Sequence, residues 1–447
     1  MIRLTLLLLG TEFVRRRWPW LAALGALWLA AGIVIFIDAF DGVLYFPIHV
    51  FGVLILIEGL LSLIAAFNGI DSRRRNRLRL VKAVLFIVAA LLILDPYPDG
   101  EFVLAMLFGT IFLIAGALRV SAAYVVRFSG WKQAMVAGGL ELLFAIFTLE
   151  PWPTHYQGTV PYCIGFGLAI TGWSLLRLAL RLRKLPPTAS LSLLTGRGGR
   201  FDNQPVVWAR GTPGEQRGDL IVHVWTPVGS ADGAMRQPLI DRYIAAVDGK
   251  GRISTGHAAL EVAPDIYISH YPAVELDRSP SDFASTLRAT HENDVAGKFQ
   301  PSYAEEAAGW CDSTEQVRFN EYNLIRLRAY WQAYRQDTTY NLTNRNCSSS
   351  TVHALETALE GVIGQRGGRW FTFARVLLSP ETWVAAQLYR RADTMAWTPG
   401  LVLDYARTLH RIVDPSPVAW LTIARVAWRT WRRRYPSTAD TASSNSP

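Results

Sequence analysis

The chain has 447 residues, a formal net charge of +9 and 51% hydrophobic residues, which is enough for two or three domains. Its three cysteines, Cys163, Cys311 and Cys347, show no CxxC spacing, which argues against a disulfide framework or a structural zinc site. Much of the basic excess gathers in arginine clusters beside apolar runs, a membrane-topology signal before it is a nucleic-acid signal.

Up to about residue 182 the chain is dominated by apolar stretches: Trp18–Ile37, Leu44–Phe67, Leu80–Leu94, Phe102–Val126, Trp131–Leu149 and Val160–Leu180. Most approach the roughly 20 residues needed to cross a bilayer. The third is short, and Lys82 can extend it by snorkelling. The first run continues into a regular series of hairpins, so a cleaved signal peptide is not expected. An acidic residue ends the first helix of each pair (Asp38, Asp95, Glu150). A glycine pair spaced by seven lies in each second helix: Gly52/Gly59, Gly109/Gly116 and Gly165/Gly172. Glycines seven apart share a helix face and permit close helix packing.

Arg15–Arg17, the cluster from Arg73 to Lys82, Arg127 with Lys132, and Arg177 to Lys184 alternate with loops holding no Lys or Arg. The positive-inside rule then sets both termini in the cytoplasm, at the inner (cell) membrane. A free thiol in the C-terminal half is tenable in that reducing compartment. Glu58 and Glu141 fall inside apolar helices, where a carboxylate marks either a proton or partner site or an interhelical hydrogen bond.

Six helices in three hairpins, with acidic turns at Asp95-Pro96 and Glu150-Pro151, resemble the HdeD-type acid-resistance membrane proteins built from a short repeat. The resemblance covers residues 1–184 and implies a small membrane domain linked to acid stress.

A Pro- and Gly-containing linker follows (185–204). Leu220–Trp225 and Leu239–Val247 read as strands, with a hairpin turn at Asp248–Gly251. Gly256–Val262 and Asp265–His270 read as a second strand pair around Ala263-Pro264. Pairing centred there sets Val262 opposite Asp265 and His257 opposite His270, with both imidazoles on one sheet face. A loop wider than two residues with the same centre suits Ala-Pro better. Segments Asp282–His291, Tyr303–Trp310 and Phe319–Arg335 read as helices covering the sheet. Asn344–Thr351 then runs as a polar loop into a segment with helical apolar spacing (Val352, Leu355, Leu359), placing Cys347 at a helix start. Unpaired N–H groups there favour a thiolate and can stabilise an oxyanion. Chemically, His257 takes the thiol proton and later protonates the leaving group, and His270 fixes its orientation. Glu261 or Asp265 is an alternative third group.

Gly256-His257-Ala258-Ala259-Leu260, His270 and the Asn346-Cys347 pair resemble the circularly permuted NlpC/P60-type papain-like thiol enzymes, which include the lecithin:retinol acyltransferase-like proteins. The resemblance covers residues 205–365. It implies Cys347 as nucleophile, His257 as base and His270 as orienting residue, in enzymes that cleave amides or peptides or move acyl groups through a thioester. Ser348-Ser349-Ser350 lacks the aromatic and charged residues usual in the acyltransferase branch. His223, His291 and His353 have no comparable context, and Cys311 reads as structural. There is no Walker A, Rossmann glycine run or serine-elbow motif.

Residues 366–435 read as a helical, membrane-surface extension, with helices Glu381–Arg391 and Gly400–Ile412 and a Trp/Arg-rich segment, Val418–Arg434. Residues 436–447 have a disordered composition. The expected architecture is therefore an all-α six-helix transmembrane domain, an α+β papain-like domain and a helical tail. The expected activity is a membrane-anchored cysteine hydrolase of peptidase or amidase type, linked to acid or envelope stress. Lipid acyl transfer or deacylation is the alternative enzyme reading; a stress protein with a degenerate binding domain is the alternative outside enzymes. Expected partners are membrane lipids and a peptide, amide or acyl-lipid substrate, with self-association through the apolar helices. No cofactor, metal or nucleic acid is expected.

Overall fold

The computed structural model describes residues 2–10, 14–15, 17–40, 48–67, 73–94, 98–128, 130–150, 155–184, 191, 218–225, 246–247, 253–254, 256–274, 288–366, 369–394 and 396–414. The chain is mostly helical and divides into two compact units. One comprises residues 12–187 with 281–290, the other residues 1–11, 188–280 and 291–447.

The first unit holds six long helices: α2 (Trp18–Asp38), α3 (Ile48–Phe67), α4 (Arg73–Leu94), α5 (Pro98–Val126), α6 (Trp131–Leu149) and α7 (Thr159–Arg183). Among the described residues, α2, α5 from Gly100, α6 and α7 are long and apolar enough to cross a membrane. The glycine repeat has a specific packing role. Each glycine pair packs on the first helix of the following repeat rather than on its own hairpin partner. Gly52 and Gly59 of α3 face α4, Gly109 and Gly116 of α5 face α6, and Gly165 and Gly172 of α7 close back onto α2. The last contact is the tightest, because Gly25 and Gly32 of α2 meet the α7 pair backbone to backbone. A Cβ on Gly172 would lie 2.4 Å from the backbone nitrogen of Leu29. Gly172→Ala is therefore expected to cost about 1–3 kcal/mol, read as a lower melting temperature in detergent. Gly139→Ala, whose Cβ would meet nothing within 4 Å, serves as the harmless control. Glu141 on α6 forms an ion pair with Arg119 on α5 at 2.8 Å, so this carboxylate has a charged partner.

The second unit begins with a helix that the sequence reading had left in the membrane domain, α1 (Ile2–Leu9). It is too short to span a bilayer, and Leu4, Leu7 and Leu8 join the second unit's core. A four-stranded antiparallel sheet, ordered β5-β4-β1-β8, organises that core. Its strands are β1 (Leu220–Trp225), β4 (His257–Val262), β5 (Ile266–Ile268) and β8 (Glu315–Phe319). A two-stranded ribbon, β2 (Ala246–Val247) and β3 (Ile253–Ser254), flanks the expected Asp248–Gly251 turn, which lies outside the described residues. A second sheet contains β6 (His270–Pro272), β7 (Val295–Phe299) and β9 (Thr339–Tyr340).

Strand alternation separates the two faces of the four-stranded sheet. Leu220, Val222, Val224, Ala258, Leu260, Val262, Ile266 and Ile268 form the apolar face. Packed in the same core are α10 (Cys347–Leu359), α13 (Pro399–Val413) and α1. The opposite face carries His223, Trp225, His257, Glu261 and Tyr267. Here α8 (Tyr303–Gly309) contributes Tyr303 and Glu306, one turn apart.

Three segments differ from expectation. Phe319 ends strand β8, and the helix α9 starts only at Leu324 (Leu324–Tyr334), capped by the Asn323 side chain. Most of the expected helix Asp282–His291 lies outside the described residues; 288–290 are not helical, and the Ala289 N–H donates to the Val126 carbonyl at the end of α5. The tail has two further elements: α11 (Arg369–Leu378) had not been anticipated, and α12 (Pro380–Thr394) covers the expected 381–391. Val418–Arg434 lies outside the described residues.

Candidate functional site: a buried cysteine beside a histidine

Cys347 is the first residue of α10, as its flanking sequence suggests. Asn346 is the N-cap: its side-chain oxygen accepts from the Ser349 N–H at 2.8 Å, and Ser349 Oγ accepts from the Asn346 N–H at 2.9 Å. This reciprocal box fixes the first turn. The Asn346 amide also donates to the carbonyls of Leu342 and Trp397, at 2.7 and 3.2 Å. The asparagine of the Asn-Cys pair thus positions the cysteine and takes no place beside its sulfur.

Cys347 is 8% exposed, its Sγ lies 3.7 Å from Ser348 Oγ, and His257, the first residue of β4, stands near enough to act on the thiol electrostatically. Burial pushes the Cys347 thiol up. The charge and hydrogen bond of His257, with further bonds from Ser348 and the Ala258 N–H, outweigh burial and bring the thiol below its ordinary value. Cysteine and histidine are therefore together, as the sequence implies.

His270 is not the third group. Its Nδ1 lies 3.0 Å from the Tyr334 hydroxyl and its Nε2 3.3 Å from the Thr338 carbonyl. The reason is a register shift of one residue. The loop between β4 and β5 holds three residues, 263–265, so Val262 pairs with Ile266, Glu261 with Tyr267 and Leu260 with Ile268. A one-residue shift sends every side chain to the other face. His270 turns away, and the Tyr271 ring stacks on His257 instead, 4.1 Å between centroids and 16° between planes.

The partner of His257 is a buried carboxylate that the sequence reading missed. His257 Nε2 lies 2.8 Å from Ser269 Oγ and 3.3 Å from Glu306 Oε1. Ser269 Oγ donates to Glu306 Oε2 at 2.7 Å, and the hydroxyls of Tyr267 and Tyr271 donate to the same carboxylate at 2.6 and 2.7 Å. Glu306 is 5% exposed, and three hydroxyl donors plus the imidazole hold it in place. Of the other carboxylates considered from the sequence, Glu261 contacts His223 and Asp265 pairs with Arg328. The resulting order is thiol, imidazole, hydroxyl-supported carboxylate, the arrangement of an activated nucleophile. Among the described residues no group of three or more His, Cys, Asp or Glu is placed to hold a metal.

His270 has a structural role with a pH signature. Burial pushes its imidazole down to about 4, against the opposing bond from the Thr338 carbonyl. An unfolded histidine titrates near ~6.5. Between those values the unfolded chain binds the extra proton, so stability falls as pH drops through this window, by about 3 kcal/mol in total for this residue. Melting temperatures measured from pH 7 to 4 are expected to fall more steeply in the native protein than in His270→Phe.

Compared with known protein families, curated proteins and solved structures, the chain matches none.

Proposed function

We propose that the protein is a membrane-anchored cysteine hydrolase that cleaves an amide or peptide bond through a thioester on Cys347. The observation that carries this reading is the buried Cys347 at the start of α10, its thiol lowered by the neighbouring His257, whose Nε2 is held by Ser269 and Glu306. The Cys347 thiolate attacks the substrate carbonyl carbon, and the N–H groups of Cys347 and Ser348, which lie outside the Asn346–Ser349 box, stabilise the oxyanion. His257, protonated, gives its proton to the departing amine as the C–N bond breaks. A water then loses a proton to His257 and attacks the thioester, releasing the acid and restoring the thiol. Glu306 and Ser269 keep the imidazole oriented through both half-reactions. The domain around the site is of papain-like type in this reading: a nucleophile helix packs on an antiparallel sheet whose first residue on β4 is the base.

The same reading has α2 to α7 crossing the inner membrane six times, with both termini in the cytoplasm. Residues 1–11, 188–280 and 291–447 contribute to one folded unit, which supports an even number of crossings in this reading. Ala289 of the C-terminal half bonds Val126 at the end of α5. The α5–α6 junction carries Arg127 and Lys132, which by the positive-inside rule supports a cytoplasmic junction.

The test is the rate at which iodoacetamide labels Cys347 as a function of pH. An ordinary thiol titrates near ~8.5. The native protein is expected to label with a midpoint below that value, and His257→Ala to move the midpoint up and slow labelling at neutral pH roughly tenfold or more. A midpoint at the ordinary value that ignores His257 would overturn the reading.

A further inference from the structure

The polar sheet face carries a second constellation, independent of Cys347. His223 on β1 is 1% exposed. Its Nε2 lies 2.9 Å from Glu261 Oε2, and its Nδ1 lies 3.1 Å from Ser313 Oγ. A carboxylate at Nε2 requires that nitrogen to carry the proton, which leaves Nδ1 as an acceptor and the Ser313 hydroxyl as the donor. Serine, histidine and carboxylate thus stand in line in the tautomer that nucleophilic activation needs. The Tyr303 ring stacks on His223 at 4.0 Å and 18°, fixing the imidazole plane.

The surroundings of Ser313 suit a substrate. Ser313 is partly exposed, in the segment between α8 and β8, whereas His223 is buried behind it. Gln316 Nε2 donates to Ser313 Oγ at 3.2 Å. Tyr303 OH lies 3.3 Å from Ser313 Oγ and accepts from the Ser313 N–H at 3.1 Å. Three residues before Ser313, Trp310 stacks on the buried Trp225 at 5.8 Å and 21°. Trp310 is itself 54% exposed, a large apolar surface beside the serine. Burial also pushes His223 down, against the opposing bond to Glu261, which keeps the imidazole in its neutral, proton-accepting form.

We propose that Ser313, His223 and Glu261 form a second hydrolytic site, acting on esters whose acyl group is aryl or alkyl and rests against Trp310. Ser313 Oγ attacks the ester carbonyl as its proton passes to His223 Nδ1. The C–O bond to the alcohol breaks, and the departing alkoxide takes that proton. A water then gives a proton to Nδ1 and attacks the acyl-serine; as the acyl C–Oγ bond breaks, that proton returns to Ser313 Oγ and the carboxylic acid is released. Glu261 holds the imidazole throughout. Unlike the thiol site, this serine lies outside the core, open to substrates from the surface.

A fluorophosphonate probe, applied to the full-length protein in detergent and mapped by mass spectrometry, tests this. Ser313 is expected to be phosphonylated faster than the protein's other exposed serines. His223→Gln and Glu261→Gln are both expected to slow that labelling, the former roughly 100-fold. Glu261→Gln keeps the side-chain volume, so it remains informative if His223→Gln fails to fold. Ser313 labelling no faster than the other exposed serines, or indifferent to both substitutions, overturns the proposal. Iodoacetamide labelling of Cys347 in the same sample reports the thiol site separately, so either reading can fail alone.

Discussion

Under the proposed thiol mechanism, Glu306→Gln is expected to lower turnover through Cys347 by up to about 10⁴-fold, the loss seen when a buried carboxylate behind a catalytic histidine becomes an amide. Glutamine keeps the volume of the side chain but presents an NH₂ where the carboxylate now accepts from Tyr267, Ser269 and Tyr271. It also removes the negative charge facing His257 Nε2 at 3.3 Å. In the proposed mechanism, the support that His257 gives to a Cys347 thiolate would be weaker. The pH midpoint of Cys347 labelling should rise with the loss of turnover. A purely structural Glu306 would lower the melting temperature and leave that midpoint where it is. His270→Gln supplies the contrast: it removes an imidazole that bonds Tyr334 and the Thr338 carbonyl, so it should cost stability without moving the midpoint.

Deleting residues 2–10 is expected to abolish folding of the second unit. Leu4, Leu6, Leu7, Leu8 and Leu9 of α1 are each at most 6% exposed. At about 1.5–3 kcal/mol per fully buried leucine, the helix contributes on the order of 10 kcal/mol, comparable to the whole stability of a typical domain. Polar contacts add direction. Arg3 forms an ion pair with the fully buried Glu356 at 2.8 Å, lies 3.8 Å over the Tyr389 ring, and shares Glu356 with the Tyr405 hydroxyl. Arg3→Met is the milder test. It strands a buried carboxylate and should cost about 3–5 kcal/mol, measured as a shift in the urea midpoint of intrinsic fluorescence. If the helix were a dispensable leader, neither change would affect the second unit. The junction is close: a Cβ on Gly10 would fall 2.8 Å from Gly361 Cα.

What the sequence reveals follows from how local the physics is. The start of α10 is legible because cap, polar loop and apolar spacing are all contained in sixteen consecutive residues. His257 is legible because strand alternation is local too. His270 misleads because its face depends on one residue of loop length at 263–265, which composition does not fix. Glu306 is illegible in a stronger sense. Glu305 and Glu306 are adjacent and chemically alike, and only the rotation of α8, set by the Ser302 cap, turns one to solvent and the other onto His257. Strands β7 and β8 were missed because they are five residues each, and Phe319 continues into an apolar periodicity that reads as helix. In the membrane half the glycine register is written in the sequence, but which helix each pair meets is a property of the bundle.

The ion pair between Arg3 and Glu356 joins positions 353 apart, and that span orders events during synthesis. The ribosome makes α1 well before the helix and tyrosine that receive it. At about 5–20 residues per second, roughly 20–70 s separate the emergence of Arg3 from that of Glu356. Throughout that interval a leucine-rich helix lacks the core that buries it. A nascent chain that stops early leaves α1 unburied, a ready mark for chaperones or proteases. Burial of α1 thus requires that synthesis has reached Glu356 and Tyr405.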